Sequence, residues 1–141
     1  MIYRAIKETD YEKRNMESNE LRINNIISIN DKNCIVKGIN TDGFLQCKWN
    51  DSDTIVWGEP LTCFDPIQLT EEWLVKLGFN YGGIWIELMG LMSCGRILQH
   101  KGIGAKSTAF YINEQFIANI QYLHELQNLY FALTGTELKT K

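Results

Sequence analysis

At 141 residues the chain has the length of one ordinary domain, and an apolar share of 45% with 11% aromatics is enough to fill a real core. A formal charge of −3 argues against a generic nucleic-acid binder, which needs net positive charge to meet phosphates. No apolar run reaches the roughly 18 residues of a membrane helix, and MIYRAIKETDYEKRNMES has no apolar signal-peptide core, so the expected setting is cytoplasmic with no membrane partner.

The first twenty residues are mostly polar and read as an arm with Ile2, Tyr3 and Ile6 as its apolar anchors. ELRINNIISIN then alternates, with Leu21, Ile23, Ile27 and Ile29 marking a half-buried strand. NCIVKGIN and GFLQCKW follow, separated by Asn40-Thr41-Asp42-Gly43, whose Asp-Gly step is a strong hairpin signal. TIVWGEPLTCF adds one or two short strands broken by Gly58 and Pro60. Four or five short strands in about fifty residues predict a small SH3-like β-barrel over 21–67, too small to be comfortably stable alone.

The period changes at PIQLTEEWLVKLGFN, where Leu69, Trp73, Leu74 and Leu77 fall at helical spacing. Thr70 is a good N-cap, Glu71 and Glu72 suit the positive end of the helix, and Gly78 suits its C-terminal stop. Strands resume at GGIWIELM and continue through GRILQH, STAFYIN and EQFIANI, with Asn113-Glu114 as a tight connection. A final helix carries Leu123, Leu126, Tyr130 and Leu133 on one apolar face, with Leu129 beside them, and stops at Gly135. The expected fold is therefore α+β: an arm (1–20), the barrel (21–67), then a body (68–141) of a linking helix, a second antiparallel sheet and a C-terminal helix packed on it, cooperating as one unit.

Two segments, PIQLTEEWLVKLGF (66–79) and YLHELQNLYFALTGTEL (122–138), resemble paired motifs in short uncharacterised proteins of Bacteroidetes bacteria, their prophages and phages. LRINN (21–25) is similar to the LRIGN of those proteins, with Asn24 in place of glycine, and asparagine tolerates positive φ better than most residues. The quoted motifs cover 36 residues of the chain, and the resemblance implies a phage or prophage origin and a barrel joined to an α+β body; it implies no activity. Residues 81–119 fall outside it.

Four cysteines, Cys34, Cys47, Cys63 and Cys94, form no C-x-x-C pair and have no histidine near them in sequence, so buried thiols are favoured over a metal site. His124 could serve as a general base, but Glu125, being adjacent, projects about 100° away on a helix, and no G-x-S-x-G elbow accompanies it. A hydrogen bond from the final helix to the barrel or the first helix is the favoured duty of His124. The stretch SCGRILQHKGIGAKST (93–108) holds Arg96, His100, Lys101, Lys106 and Ser107 with three glycines and no acid. It fails as a Walker loop, because His100 and Ala105 stand where glycines are required. It remains the best anion-binding candidate, against the plain reading of a solvated hairpin tip. Residues 68–141 are neutral overall and residues 1–67 carry the net −3, so this is a local basic patch on an acidic chain.

Trp85 alternates with Ile84 and Ile86 and could present a stacking surface; Trp49 and Trp57 could line a barrel groove; Trp73 reads as core. Glu71-Glu72 and Asp51-Ser52-Asp53 are accounted for by a helix start and a turn, and Ile55 breaks any EF-hand pattern. No cofactor and no catalytic constellation is legible. The expectation is a non-enzymatic phage-type binding protein, a trap for a small anionic, nucleotide-like immune signal of the host. A host-protein inhibitor or adaptor is the alternative, and an enzyme degrading such a signal through His100 or His124 is a third; the open sheet edges would allow a homo-oligomer.

Overall fold

The computed structural model describes residues 16–49, 55–82, 85–88, 92–95 and 107–140. Its first sheet is a meander of β1 (Ile26–Ile29), β2 (Lys32–Ile39), β3 (Phe44–Trp49) and β4 (Ile55–Pro60), each antiparallel to the next. Asn30 and Asp31 join β1 to β2 with φ of 51° and 63°. Paired left-handed residues of this kind match the twist of the flanking strands, and Asn and Asp are among the side chains that tolerate them. Between β2 and β3, Gly43 takes φ 82° while the Asn40 side-chain oxygen accepts from the backbone N–H groups of Asp42 and Phe44, at 2.9 and 3.0 Å. After β4 a 3-10 turn, Leu61–Cys63, swings the chain back across the sheet. Asp65 then exchanges two backbone hydrogen bonds with Ser28, at 3.0 and 2.8 Å, which curls the sheet onto its own first strand.

Inside that curl the period-two pattern buries Cys34 and Val36 from β2 and Leu45 and Cys47 from β3, against Met16, Leu21, Ile27 and Phe64. The second sheet is also a meander: β5 (Asn80–Gly82), β6 (Trp85–Leu88), β7 (Met92–Gly95), β8 (Thr108–Ile112) and β9 (Gln115–Ile120). Its last hairpin again turns on two left-handed residues, Asn113 and Glu114, at φ 51° and 67°.

Two helices serve this sheet. In α1 (Glu71–Lys76) the Thr70 hydroxyl oxygen accepts from the Trp73 N–H at 3.3 Å, and Gly78 leaves the helix at φ 99°. In α2 (Leu123–Thr134) the Glu125 carboxylate reaches back to the N–H groups of Gln121 and Tyr122, at 3.0 and 2.9 Å. The helix ends where the Gly135 N–H reaches the Phe131 carbonyl with Gly135 at φ 72°. Leu123 and Leu126 are fully buried with Leu74, Leu77, Phe79 and Phe110, and burying each such side chain contributes about 1.5–3 kcal/mol.

The two cores meet on β1. Ile27 points into the curled sheet, while its neighbour Ile26 belongs to the core beneath α2. Successive strand residues face opposite ways, so one short strand serves both cores. The architecture is α+β, with two antiparallel sheets and a C-terminal helix, and no described helix is long and apolar enough to cross a membrane.

Three expectations need correction. Leu21 and Ile23 are not strand residues: β1 starts only at Ile26, because Asn24 turns left-handed at φ 80° and breaks the alternation. Leu69 precedes α1, where its N–H bonds the Gln121 carbonyl. Leu133, placed on the buried face of the final helix, is 45% exposed, because that face turns away from the sheet in the last turn. Residues 1–15 of the expected arm (1–20) and residues 96–100 of the expected strand over GRILQH lie outside the described residues, whereas β7 in MSCG has no periodic signal.

Candidate functional site

The described polar groups concentrate where the turn ahead of β1 meets α2. Residues His124, Gln127, Asn128 and Phe131 lie on one side of that helix by their i, i+3, i+4 and i+7 spacing. The first half of this side is buried too: His124 is 0% and Gln127 2% exposed, with Asn128 half-buried and Phe131 exposed. The helix is thus covered on an apolar stripe by the second sheet and on a polar stripe by residues 20–26 of the first unit.

The interactions across that seam join the motif 122–138 to LRINN (21–25) and to the residues flanking it, Glu20 and Ile26. The Gln127 side chain accepts from the Ile26 N–H at 2.8 Å and donates to the Asn24 carbonyl at 3.2 Å, acting as an extra strand residue beside β1. Asn128 donates to the Glu20 carbonyl at 2.7 Å, while its oxygen accepts from Asn25 Nδ2 and Arg22 Nε, at 2.8 and 2.9 Å. Arg22 forks onto Glu137 at 2.8 and 3.2 Å, donates to the Gln127 carbonyl at 3.2 Å, and sits 4.2 Å above the Phe131 ring. Its hydrogen bonds and charge hold the Glu137 carboxyl below the usual carboxylate range. Asn25, fully buried, accepts the Arg22 N–H at 2.7 Å and so shapes the turn that aims the guanidinium.

His124 stands at the end of this seam. Its Nε2 lies 3.0 Å from Glu20 Oε1, and its ring stacks on Tyr122 with centroids 6.1 Å apart. A general base needs access to substrate, and a side chain with no exposed surface offers none. The geometry here is that of a fastener between the final helix and the 3-10 turn Ser18–Glu20.

The other paired motif makes the same kind of contact. Gln68 and Tyr122 form an antiparallel bridge, with Leu69 N–H to the Gln121 carbonyl at 3.0 Å and Leu123 N–H to the Ile67 carbonyl at 2.8 Å. The segments 66–79 and 122–138 are therefore neighbours in space as well as in pattern.

Among the remaining candidates, Arg96, His100, Lys101 and Lys106 lie outside the described residues. Ser107 is exposed at the point where β8 begins. Trp85 opens β6, paired in register with Gly95, and Trp57 lies in β4; the described side chains do not include theirs. Trp49 ends β3, half-buried, with the Lys32 ammonium 5.1 Å above its ring. Trp73 packs on the main core and carries Lys76 at 4.8 Å. Neither Trp49 nor Trp73 takes part in the described contacts of the His124 seam.

Three of the four thiols are buried, and the buried ones do not share one environment: the hydrogen bond from Cys34 holds the Cys47 thiol below its ordinary range. Cys34 and Cys47 are hydrogen-bonded to one another inside the curled sheet, which with burial pushes the Cys34 thiol far up; burial takes Cys94 up to about 12. Cys63 is exposed. No group of three or more His, Cys, Asp or Glu side chains among the described residues is arranged to hold a metal ion.

Arg22, Asn25, Gln127, Asn128 and Glu137 were invisible as candidates from single positions. Their signal lay in the pairing of LRINN with HELQN, two polar motifs that make sense only as two sides of one seam. No family model, no curated protein and no solved structure matches the chain.

Proposed function

We propose that the chain is a non-enzymatic binding protein of the phage or prophage type, which traps a small nucleotide-like anion of its host. The observation that supports this reading is the register of β7 and β8. Cys94 pairs with Phe110 and Ser93 with Tyr111, so residues 96–106 connect two adjacent antiparallel strands of one sheet. Both ends of a basic, acid-free connection are thereby anchored to a rigid framework, as ligand loops commonly are. Arg96, Lys101 and Lys106, with backbone N–H groups near Gly102 and Gly104, have the chemistry to bind phosphate. The described polar cluster supports the non-enzymatic part of the reading, since its groups are engaged in holding α2 to the first unit.

The first unit itself is read as an SH3-like barrel. Supporting this is the order of four meandering strands, a 3-10 turn and a return to the first strand at Asp65.

The test is a thermal-shift panel of cyclic di- and trinucleotides, ADP-ribose derivatives and plain nucleotides. A ligand at 100 times its Kd adds about 2.7 kcal/mol of stability, a shift of several degrees for a chain of this size. The shift should vanish in the triple variant Arg96→Ala, Lys101→Ala, Lys106→Ala, and the ligand should be released intact on denaturation. A flat panel sinks the trap and favours a host protein as the partner; a chemically altered ligand makes the chain an enzyme.

A further inference from the structure

We propose that the outer edge of β9 docks a second copy of this chain, antiparallel to the first, so that two five-stranded sheets join into one. This stands independently of any ligand at residues 96–106. A strand at the edge of a sheet carries unpaired N–H and C=O groups, and proteins protect such edges with partners, brevity, charge or proline. The other described edges have such protection. The edge of β1 is bonded to Asp65, β5 has three residues, and β4 carries Glu59 and Pro60.

β9 differs from them. Among the described residues it pairs with β8 alone, and it runs six residues, QFIANI, with no charge and no proline. A bulge opposite Phe110 and Tyr111 leaves Ile117 without a partner on β8. Bulges often blunt an edge, but this one throws out an apolar residue rather than a lysine. Phe116 is 54% and Ile117 38% exposed, so the strand offers apolar side chains as well as backbone groups. Directly beyond it, residues 121–123 already take an antiparallel neighbour, the segment 67–69.

A second copy fits this edge better than a charged strand. The strand is neutral, so a twofold pairing sets no like charges together. Centred on Ile117, it places Ile117 against its own copy and Gln115 opposite Asn119, two amides able to bond each other. Six residues give a seam of about 20 Å, ordinary for a strand pair.

Light scattering behind size-exclusion chromatography, across a dilution series of the full chain, tests this. The expected mass is twice the 16.3 kDa of one chain. Ile117→Lys should reduce it to one chain with unchanged circular dichroism and a melting temperature that no longer depends on concentration, and amide exchange at 115–119 should become fast. Ile55→Lys, at the exposed start of β4, should leave the dimer intact. If I117K unfolds, Phe116→Lys carries the same test on a more exposed side chain. A monomeric wild type overturns the proposal, as does a dimer that survives both β9 variants or is broken by I55K.

Discussion

Arg22 is where the two units are most tightly tied, and its removal has a calculable cost. In Arg22→Ala the fork onto Glu137, the bonds to Asn128 Oδ1 and the Gln127 carbonyl, and the stack on Phe131 are all lost. The ion pair is part-exposed, at 27% for Arg22 and 18% for Glu137, so solvent screening reduces it to about 1 kcal/mol. The two further bonds add about 1 kcal/mol and the cation–π contact about 0.5–1 kcal/mol. Asn128 keeps its bond from Asn25, so no buried orphan raises the total. The sum is about 3 kcal/mol, or about 10 °C in melting temperature for a chain of this length. Urea melts of wild type, R22A, E137Q and the double variant give the coupling directly. Arg22→Lys should recover only part of the loss, because an ammonium cannot fork. The pH dependence carries its own sign. The Glu137 carboxyl is held low in the folded protein, so its contribution is complete above the unfolded value of about 4.3 and fades as pH falls through the folded value. The gap between wild type and R22A should therefore narrow in acid. A loss below about 0.5 kcal/mol at neutral pH, the size of an ordinary surface substitution, would refute the reasoning.

Gln127→Leu keeps the volume but leaves the buried Ile26 N–H without its acceptor, and should cost about 1–3 kcal/mol by urea denaturation. Glu114→Gly relieves a glutamate held at φ 67° in a two-residue hairpin and should raise stability by about 1 kcal/mol, read as a higher urea midpoint at constant slope. Gly135→Ala has open space for its new methyl group, yet the left-handed φ of 72° should cost about 1 kcal/mol from the backbone alone. These last two changes share a mechanism and differ in sign, so melting curves that move the same way would contradict one of them and with it the shared mechanism.

Legibility followed locality. The hairpin at Asp42-Gly43, the Thr70 cap, the tight turn at Asn113 and the stop at Gly135 are choices made by one or two residues against their own backbone, and each stands where it was read. The apolar stripe of α2 was legible for the same reason, since Leu123 and Leu126 recur at helical spacing and need only some sheet to cover. The second burial of that helix was not legible. Gln127 and Asn128 look like solvent-facing residues until Ile26 and Asn25, a hundred residues earlier, are set beside them. Periodicity records whether a face is apolar, and a polar seam satisfied by distant partners leaves no periodic trace. The basic segment 96–106 was visible from its charge, but charge alone does not distinguish a ligand loop from a solvated tip.

The seam also gives the motif pairing a physical reason. Gln127 can satisfy Ile26 only if Asn24 turns the chain at positive φ, and Arg22 reaches Glu137 only if Asn25 holds that turn. Asn128 needs Glu20, Asn25 and Arg22 together. Changing one member strands the others, and a half-satisfied polar network costs more than an apolar one of the same shape. Residues so coupled must be kept or lost as a set, whatever ligand the molecule binds. That separates two kinds of information in this chain. LRINN and HELQN specify how the curled sheet is latched to the helix, a requirement of stability. The proposed ligand and partner sites, between β7 and β8 and on the outer edge of β9, fall outside the described contacts of that latch.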